Sequence, residues 1–394
     1  MDDRDRLVRY VYSCVYTIGG VGEAHEHGIG SPGDPGRGAL LSAAEGAADL
    51  SDFRSRRIRI PTVVVGLLLA LVLAWVLFLA EGTAAEPAFS DPGEFLVTVL
   101  DGITLAGLLF VVASGFTLIF GLMRTVNMAH GSLFLVAAYI AIDMQQSMVG
   151  KTRSIVSEDV ALADWVLPML AGATVAAVLG LVAYHLLLRW NQGQELQQAL
   201  ITVAVSVIVA DQLLARFGGL AETMIWPGSV THFFEILGSR YATTRLFMLG
   251  VALLVALGLW IWLTKTRMGI VIRAGVDDQE MVRALGVRIS VVFAVTFFVG
   301  AFLAGVGGAM GASFAGAAPG TDGAWLLNSL VVVIIGGLGS LKGAAAGSLL
   351  FGMVTAMSPA YLPIEYNFYS IIFTFVLLAV VLAVRPYGLF GRPE

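Results

Sequence analysis

Three residues that could meet a polar solute, Arg124, Asn127 and His130, stand in the stretch GLMRTVNMAHGSLF between two apolar runs. An amide and an imidazole both donate and accept hydrogen bonds, while a guanidinium only donates. Asn127 and His130 are three apart and share one side of any helix they join, and Gly131 and Ser132 follow directly. In the competing reading, Asn127 and His130 cap helix ends and bond freed carbonyls, with Arg124 among lipid headgroups. Asp211 and Gln212 form a second group, breaking the run between ALITVAVSVIVA and LLARF. A carboxylate in a membrane helix costs roughly 2.5–3.5 kcal/mol on insertion scales and usually faces the bundle interior with a partner. The plainer reading pairs Asp211 with Arg216 near the outer interface. Asp101 reads as a helix cap near the outer end of its segment, and His185, close to Arg189, as interfacial.

These side chains need elements to hold them. Composition names the class: 58% of the 394 residues are hydrophobic and only 13% charged, at a mean hydropathy of +0.85. A soluble domain carries about a quarter of its residues as charges, so the chain reads as an all-α polytopic membrane protein. Apolar segments lie near 95–121, 131–142, 165–188, 199–217, 246–264, 291–312, 325–337, 344–357 and 367–384. With 62–80 they make about ten, and some are broken or half-length. At 1.5 Å per residue, 131–142, 325–337 and 344–357 fall short of a core about 30 Å thick.

Two polar, glycine-bearing breaks adjoin the short segments: the opening stretch, and IGGLGSLKGAAAG with Gly337, Gly339 and Ser340. Both contain Gly-Ser-Leu ahead of a small-residue helix. Paired interruptions in two halves of a membrane protein point to a path for solute. Backbone that leaves the helix at membrane depth survives only where protein or a water-filled cavity surrounds it.

Residues 1–61 form a charged, glycine-rich extension without apolar periodicity, expected to be mostly disordered. They end in FRSRRIRIP before the apolar run 62–80, an extra membrane helix or a signal peptide. By the positive-inside rule those arginines hold the amino terminus in the cytoplasm, and alternate threading brings the carboxy terminus there too. The same threading puts Lys265, Arg267, Arg273, Arg283 and Arg288 inside. Within the loop 265–290 a short helix is expected, with Asp277 or Asp278 as cap, Glu280 in the first turn, Arg283 in the last and Gly286 just beyond. A charged helix projecting between membrane segments is a docking surface; a solvated connector is the bland alternative.

Other chemistries fail on inspection. GGLGSLK has Leu341 where a phosphate loop requires Gly, and GVGGAMG at 305–311 misses the dinucleotide pattern, although Gly307 and Gly311 make a GxxxG packing face. No catalytic motif is present. The single cysteine, Cys14, excludes an intrachain disulfide and a cysteine metal cage, and the net charge of −5 gives no reason to expect nucleic acid. Neither cofactor nor metal is expected.

GFTLIFGLMRTVNMAHGSLFLVAAYIA, RMGIVIRAGVDDQEMVRALGV, VVVIIGGLGSLKGAAAGSLLFGMV and RPYGLFGRPE together resemble the LivH-type permease of ATP-binding-cassette importers for branched-chain amino acids. The likeness runs from about 95 to 394. It implies a permease domain over 90–394, in the bacterial plasma (inner) membrane. Implied partners are a second homologous permease, two cytoplasmic ATP-binding subunits, an extracytoplasmic solute-binding protein and membrane lipid. The AHG signature falls on Ala129, His130 and Gly131 with Asn127 ahead of it, and many members carry Glu or Ala where this chain has Ser132. The ATPase-coupling loop falls on 273–286, taking in Arg273, Asp277, Asp278, Glu280, Arg283, Ala284 and Gly286. A self-sufficient secondary transporter is the main rival and would need several buried carboxylates, for which Asp211 is the one candidate. Related permeases move urea, short amides or other carboxylates, and no residue here separates those solutes.

Overall fold

A computed structural model of the chain describes residues 91–124, 126–150 and 160–391. The readings for 1–61 and 62–80 lie outside the described residues. Those described form eleven α-helices and one β-hairpin; eight helices are long and apolar enough to cross a membrane.

The central post is α1 (Pro92–Met123), 32 residues long. Asp91 caps it by accepting the Glu94 N–H at 3.0 Å, and Pro92 supplies a first turn that needs no N–H. Asp101 is therefore no cap; it lies inside α1 and makes an ion pair with Arg245 of α5 (Thr243–Lys265). Against α1 pack α5, α8 (Ile289–Phe314), α9 (Thr321–Gly336) and α10 (Leu341–Tyr361). On the far side of α8 lie α2 (His130–Val149) and α3 (Ala163–Ala183), the latter continued by a wide turn and a tight one to Asn191. The outer helices α4 (Glu195–Phe217) and α11 (Ser370–Val384) bury few residues. Between α5 and α8 stand two short helices, α6 (Arg267–Asp277) and α7 (Gln279–Ala284).

Two of the three segments expected to be half-length are full helices. The run 131–142 belongs to the 20 residues of α2, and 344–357 to the 21 of α10. Polar residues beyond the apolar core of α2 suggested a loop, yet they remain helical and do work there. Pro168 in α3 has no N–H, which leaves the Asp164 carbonyl without its helical donor. Gln145 of α2 donates to that carbonyl at 3.2 Å, and exchanges bonds with the Ile225 carbonyl and N–H at 3.0 and 2.8 Å. Only α9, at 16 residues or about 24 Å, stays short.

The bundle has two distinct ends. At one, β1 (Phe233–Ile236) and β2 (Ser239–Ala242) pair antiparallel, Tyr241 bonds Thr104 of α1 at 3.1 Å, and Trp165 of α3 donates to Ser313 of α8 at 2.9 Å. At the other, α6, α7, both interruptions and the carboxy-terminal tail come together.

Candidate solute groove and coupling surface

The first interruption begins where Arg124 turns left-handed, at φ 54°, and closes α1 through its N–H to the Phe120 carbonyl. The chain then climbs back along the post. Met128 N–H donates to the Thr202 hydroxyl of α4 at 3.1 Å, and Asn127 Oδ1 accepts from Ala129 N–H at 3.1 Å. The His130 ring is fully buried, its Nε2 3.1 Å from the Val112 carbonyl and its plane edge-on to Phe116. Val112 lies three turns before α1 ends, so α2 starts about 16 Å up the post from that end. The middle of the opening stretch, Arg124 and 126–129, is thus non-helical backbone held by protein, while His130 is enclosed between α1 and α2.

Gly131 lets α2 meet α9, because a side chain there would run into the Asp322 carbonyl and, at 2.9 Å, Leu326 Cβ. Next to it the Ser132 hydroxyl donates to Ser206 of α4 at 2.9 Å and stands 3.5 Å from Asp322 Oδ2. Asp322 is only 8% exposed. Sequence reasoning passed over this residue: in PGTDGAW it reads as an ordinary acidic helix start. Its signal was the distance to the nearest basic residue in the sequence, twenty positions on at Lys342.

Beside this cluster α2, α3 and α4 border a groove of about 240 Å3. Its walls are aliphatic apart from Asn127, Ser132 and Thr202, with Phe297 of α8 also lining it. Asn127 is 4% exposed and its Nδ2 has no hydrogen-bond partner among the described residues. Asp211 and Gln212 are exposed on the outer side of α4 and do not line the groove. Asp211 makes no ion pair with Arg216, whose guanidinium instead lies 5.7 Å from the Phe217 ring.

The second interruption joins α9 to α10. Gly337 and Gly339 hold φ of 105° and 78°, values that favour glycine, and Ser340 caps α10 by accepting Gly343 N–H at 3.1 Å. The carbonyls freed at Ile335 and Gly336 accept the N–H groups of Leu389 and Phe390, both at 2.9 Å. The tail thereby satisfies what the break exposes. Gly339 packs on Gly121 near the end of α1, which brings the two interruptions together at one end of the bundle. Gly337, Gly339 and Ser340 belong to that end, whereas Asn127 and Ser132 sit deeper.

The short helices close the same end. Asp278, rather than Asp277, caps α7, accepting Met281 N–H at 3.0 Å, and Thr266 caps α6. Ile272 and Val282 are buried anchors. Arg273, Asp277, Asp278, Glu280, Arg283, Ala284 and Gly286 are all exposed. Inward, Gln279 Nε2 donates to the Leu122 carbonyl, and Val276 reaches towards both Gly121 and Gly339.

Residues 98–382 match the family described as the branched-chain amino acid transport system / permease component. This chain belongs to that family. The high-affinity branched-chain amino acid transport system permease protein LivH of Escherichia coli K12 is 28% identical over 310 residues, covering 76% of this chain and 96% of its own. BraD of Pseudomonas aeruginosa, a permease protein of the same description, is 25% identical over 305 residues, 76% of this chain and 97% of its own. A probable LivH from Methanocaldococcus jannaschii is 23% identical over 316 residues, 76% of this chain and 94% of its own. The permease is a multi-pass membrane protein, and its kin are transport subunits rather than enzymes.

Proposed function

We propose that the permease is the membrane-spanning subunit of an ATP-binding-cassette importer in the bacterial plasma (inner) membrane, with both termini cytoplasmic. It would translocate branched-chain amino acids or similar small polar solutes by alternating access. Its partners are a second homologous permease, two cytoplasmic ATP-binding subunits and an extracytoplasmic solute-binding protein.

The observation that carries this reading is the seating of α6 and α7 against both interruptions. Ten exposed residues from Arg273 to Gly286, five of them charged, offer an ATPase a surface, while Gln279 and Val276 grip α1 and the α9–α10 turn. A push on α7 therefore bears on the ends of three membrane helices at once. Lys265, Arg267, Arg273, Arg283 and Arg288 lie on or flank these helices, which the positive-inside rule assigns to the cytoplasm. Asn127 and Ser132 line the groove beside the path; His130 fixes the start of α2; Gly337, Gly339 and Ser340 form the moving turn.

The test is a tagged purification from native membranes in mild detergent, followed by uptake in proteoliposomes with wild type and Gly286→Val. Gly286 holds φ 83° with open space where a Cβ would stand, so valine strains the turn beyond α7, by about 1–2 kcal/mol, without a clash. A P-loop ATPase and a second permease should co-purify, and the variant should assemble yet lose uptake. Solute movement without ATP by a chain that purifies alone would overturn the importer reading. Normal uptake in Gly286→Val would sink the coupling assignment.

A further inference from the structure

A second recess shares no lining residue with the groove. It is an open pocket of about 610 Å3 between the end of α3 and the start of α8, at the same end of the bundle as α6 and α7. Arg189, Arg288 and His185 stand in its wall and no acidic residue does. Neither guanidinium makes an ion pair with a described residue. The wide turn over 184–188, closed by the Arg189 N–H on the Tyr184 carbonyl, brings Tyr184, His185 and Arg189 to this one pocket. Tyr184 is buried; its hydroxyl accepts from Gln192 Nε2 at 3.0 Å and donates to the Ser290 carbonyl at 3.2 Å, which fixes α3 against α8.

Polarity is graded along both helices. From Ser290 the α8 wall runs through Val291, Ala294, Val295 and Phe298, about 12 Å of one helix face, and α3 adds Leu181 opposite. Each helix therefore puts its cation at the end of the bundle and hydrocarbon towards the middle. Trp190, 78% exposed beside Arg189 with the guanidinium 5.9 Å from its ring, marks the level of the membrane–water interface.

We propose that this pocket binds the headgroup of an anionic phospholipid. The phosphodiester lies between Arg189 and Arg288, since a guanidinium can give a phosphate two parallel N–H bonds. The glycerol reaches Ser290, and one acyl chain follows α8 past Val295 to Phe298. The inference stands on the membrane placement of α3 and α8. From the importer reading it takes only the leaflet, the cytoplasmic one, where basic pockets between membrane helices meet anionic headgroups.

Other occupants answer half of the pocket each. A free phosphate or an acidic peptide would satisfy the arginines and leave the apolar wall against water, and a neutral acyl chain would do the reverse. A zwitterionic lipid brings a cation of its own to two arginines, and like charges side by side are costly.

The test uses the full-length permease, with any subunits that accompany it, stripped of lipid in mild detergent and titrated by native mass spectrometry. The probes are phosphatidylglycerol, phosphatidylethanolamine with the same acyl chains, and free glycerol 1-phosphate. Phosphatidylglycerol should bind with about ten-fold lower Kd than phosphatidylethanolamine, as charge-assisted contacts imply. Arg288→Ala should remove most of that preference and Arg288→Lys should restore part of it. Arg385→Ala, which deletes an exposed cation at the same end of the bundle but outside the pocket, should leave the preference intact. Equal Kd values for the two lipids in the unaltered protein overturn the proposal, and that comparison needs no variant. An equal loss of preference in Arg288→Ala and Arg385→Ala overturns it too, by reducing the effect to general charge. Displacement of phosphatidylglycerol by glycerol 1-phosphate at matching concentration would reject the lipid and leave a free phosphate ester as the occupant.

Discussion

His130→Ala separates two roles for the histidine by what it changes. If the imidazole met solute, its loss would alter uptake kinetics and spare assembly. The geometry assigns the cost elsewhere, since the ring is fully buried, bonds the Val112 carbonyl at 3.1 Å and sits edge-on to Phe116 with centroids 5.5 Å apart. A hydrogen bond of that kind contributes about 0.5–1.5 kcal/mol and an edge-to-face aromatic contact about as much again. The void left by replacing a ring with a methyl adds to both, so a total of about 2–4 kcal/mol is expected. The Val112 carbonyl keeps its helical donor, which is why the estimate stops short of a full orphan penalty. The assay is thermal unfolding of the purified permease in mild detergent, read by monodispersity after heating, with uptake of leucine and a smaller aliphatic amino acid measured at low temperature. A drop of several degrees with an unchanged ratio between the two solutes is expected. Unaltered melting together with a changed ratio would refute the reasoning and return His130 to the solute path.

Two further outcomes follow from the same packing. Deleting the chain from Gly388 onward removes the donors to the Ile335 and Gly336 carbonyls, each worth about 1–3 kcal/mol if left unpaired, so the α9–α10 turn should become sensitive to protease while α5 stays protected; an unchanged digestion pattern would show that the tail bonds contribute nothing. Tyr241 in β2 has its pKa raised, chiefly by burial, against a smaller lowering by its bond to Thr104. The unfolded phenol then loses its proton first, so the stabilisation is complete below about pH 10 and fades as pH rises through the folded value; Tyr241→Phe should flatten the alkaline fall of the melting temperature, and an identical fall would discard the link.

Hydrophobic runs located every membrane helix among the described residues, because a bilayer leaves a helix little choice but a long apolar stretch. Helix ends were another matter. Hydropathy stopped α2 at 142, although Gln145 remains helical and buried by serving backbone groups of α3 and of the loop before the hairpin. That need arises from Pro168 and a loop eighty residues away, and no local pattern reveals it. The capping logic at α7 was legible, since Asp278, Glu280, Arg283 and Gly286 follow rules read along the chain. Asp322 was not legible, because its meaning comes from α2 and α4, which bring Ser132 and Ser206 beside it. The hairpin at 233–242 was also missed, its strands being only four residues each.

The long post α1 ties these parts into one device. Near its start Asp101 pairs with Arg245 and Thr104 with Tyr241, which binds it to the hairpin end and to α5. Midway, the Val112 carbonyl holds His130 and with it the first turn of α2, where Asn127 and Ser132 meet the groove. At its far end Leu122 takes the Gln279 bond and Gly121 supports Gly339. In the proposed importer a push on α7 would be carried to the groove along this post, since a close-packed helix transmits displacement rather than absorbing it. The groove's third wall, α4, is less deeply embedded among the described residues: Gln198, Thr202 and Leu213 are buried, and it is held by Thr202 on Met128, Ser206 on Ser132, Gln198 on the Asn191 carbonyl and Phe217 stacked on Tyr139. In the proposed importer, displacement of the post relative to α4 would open or close the groove by straining the Thr202 and Ser206 hydrogen bonds first.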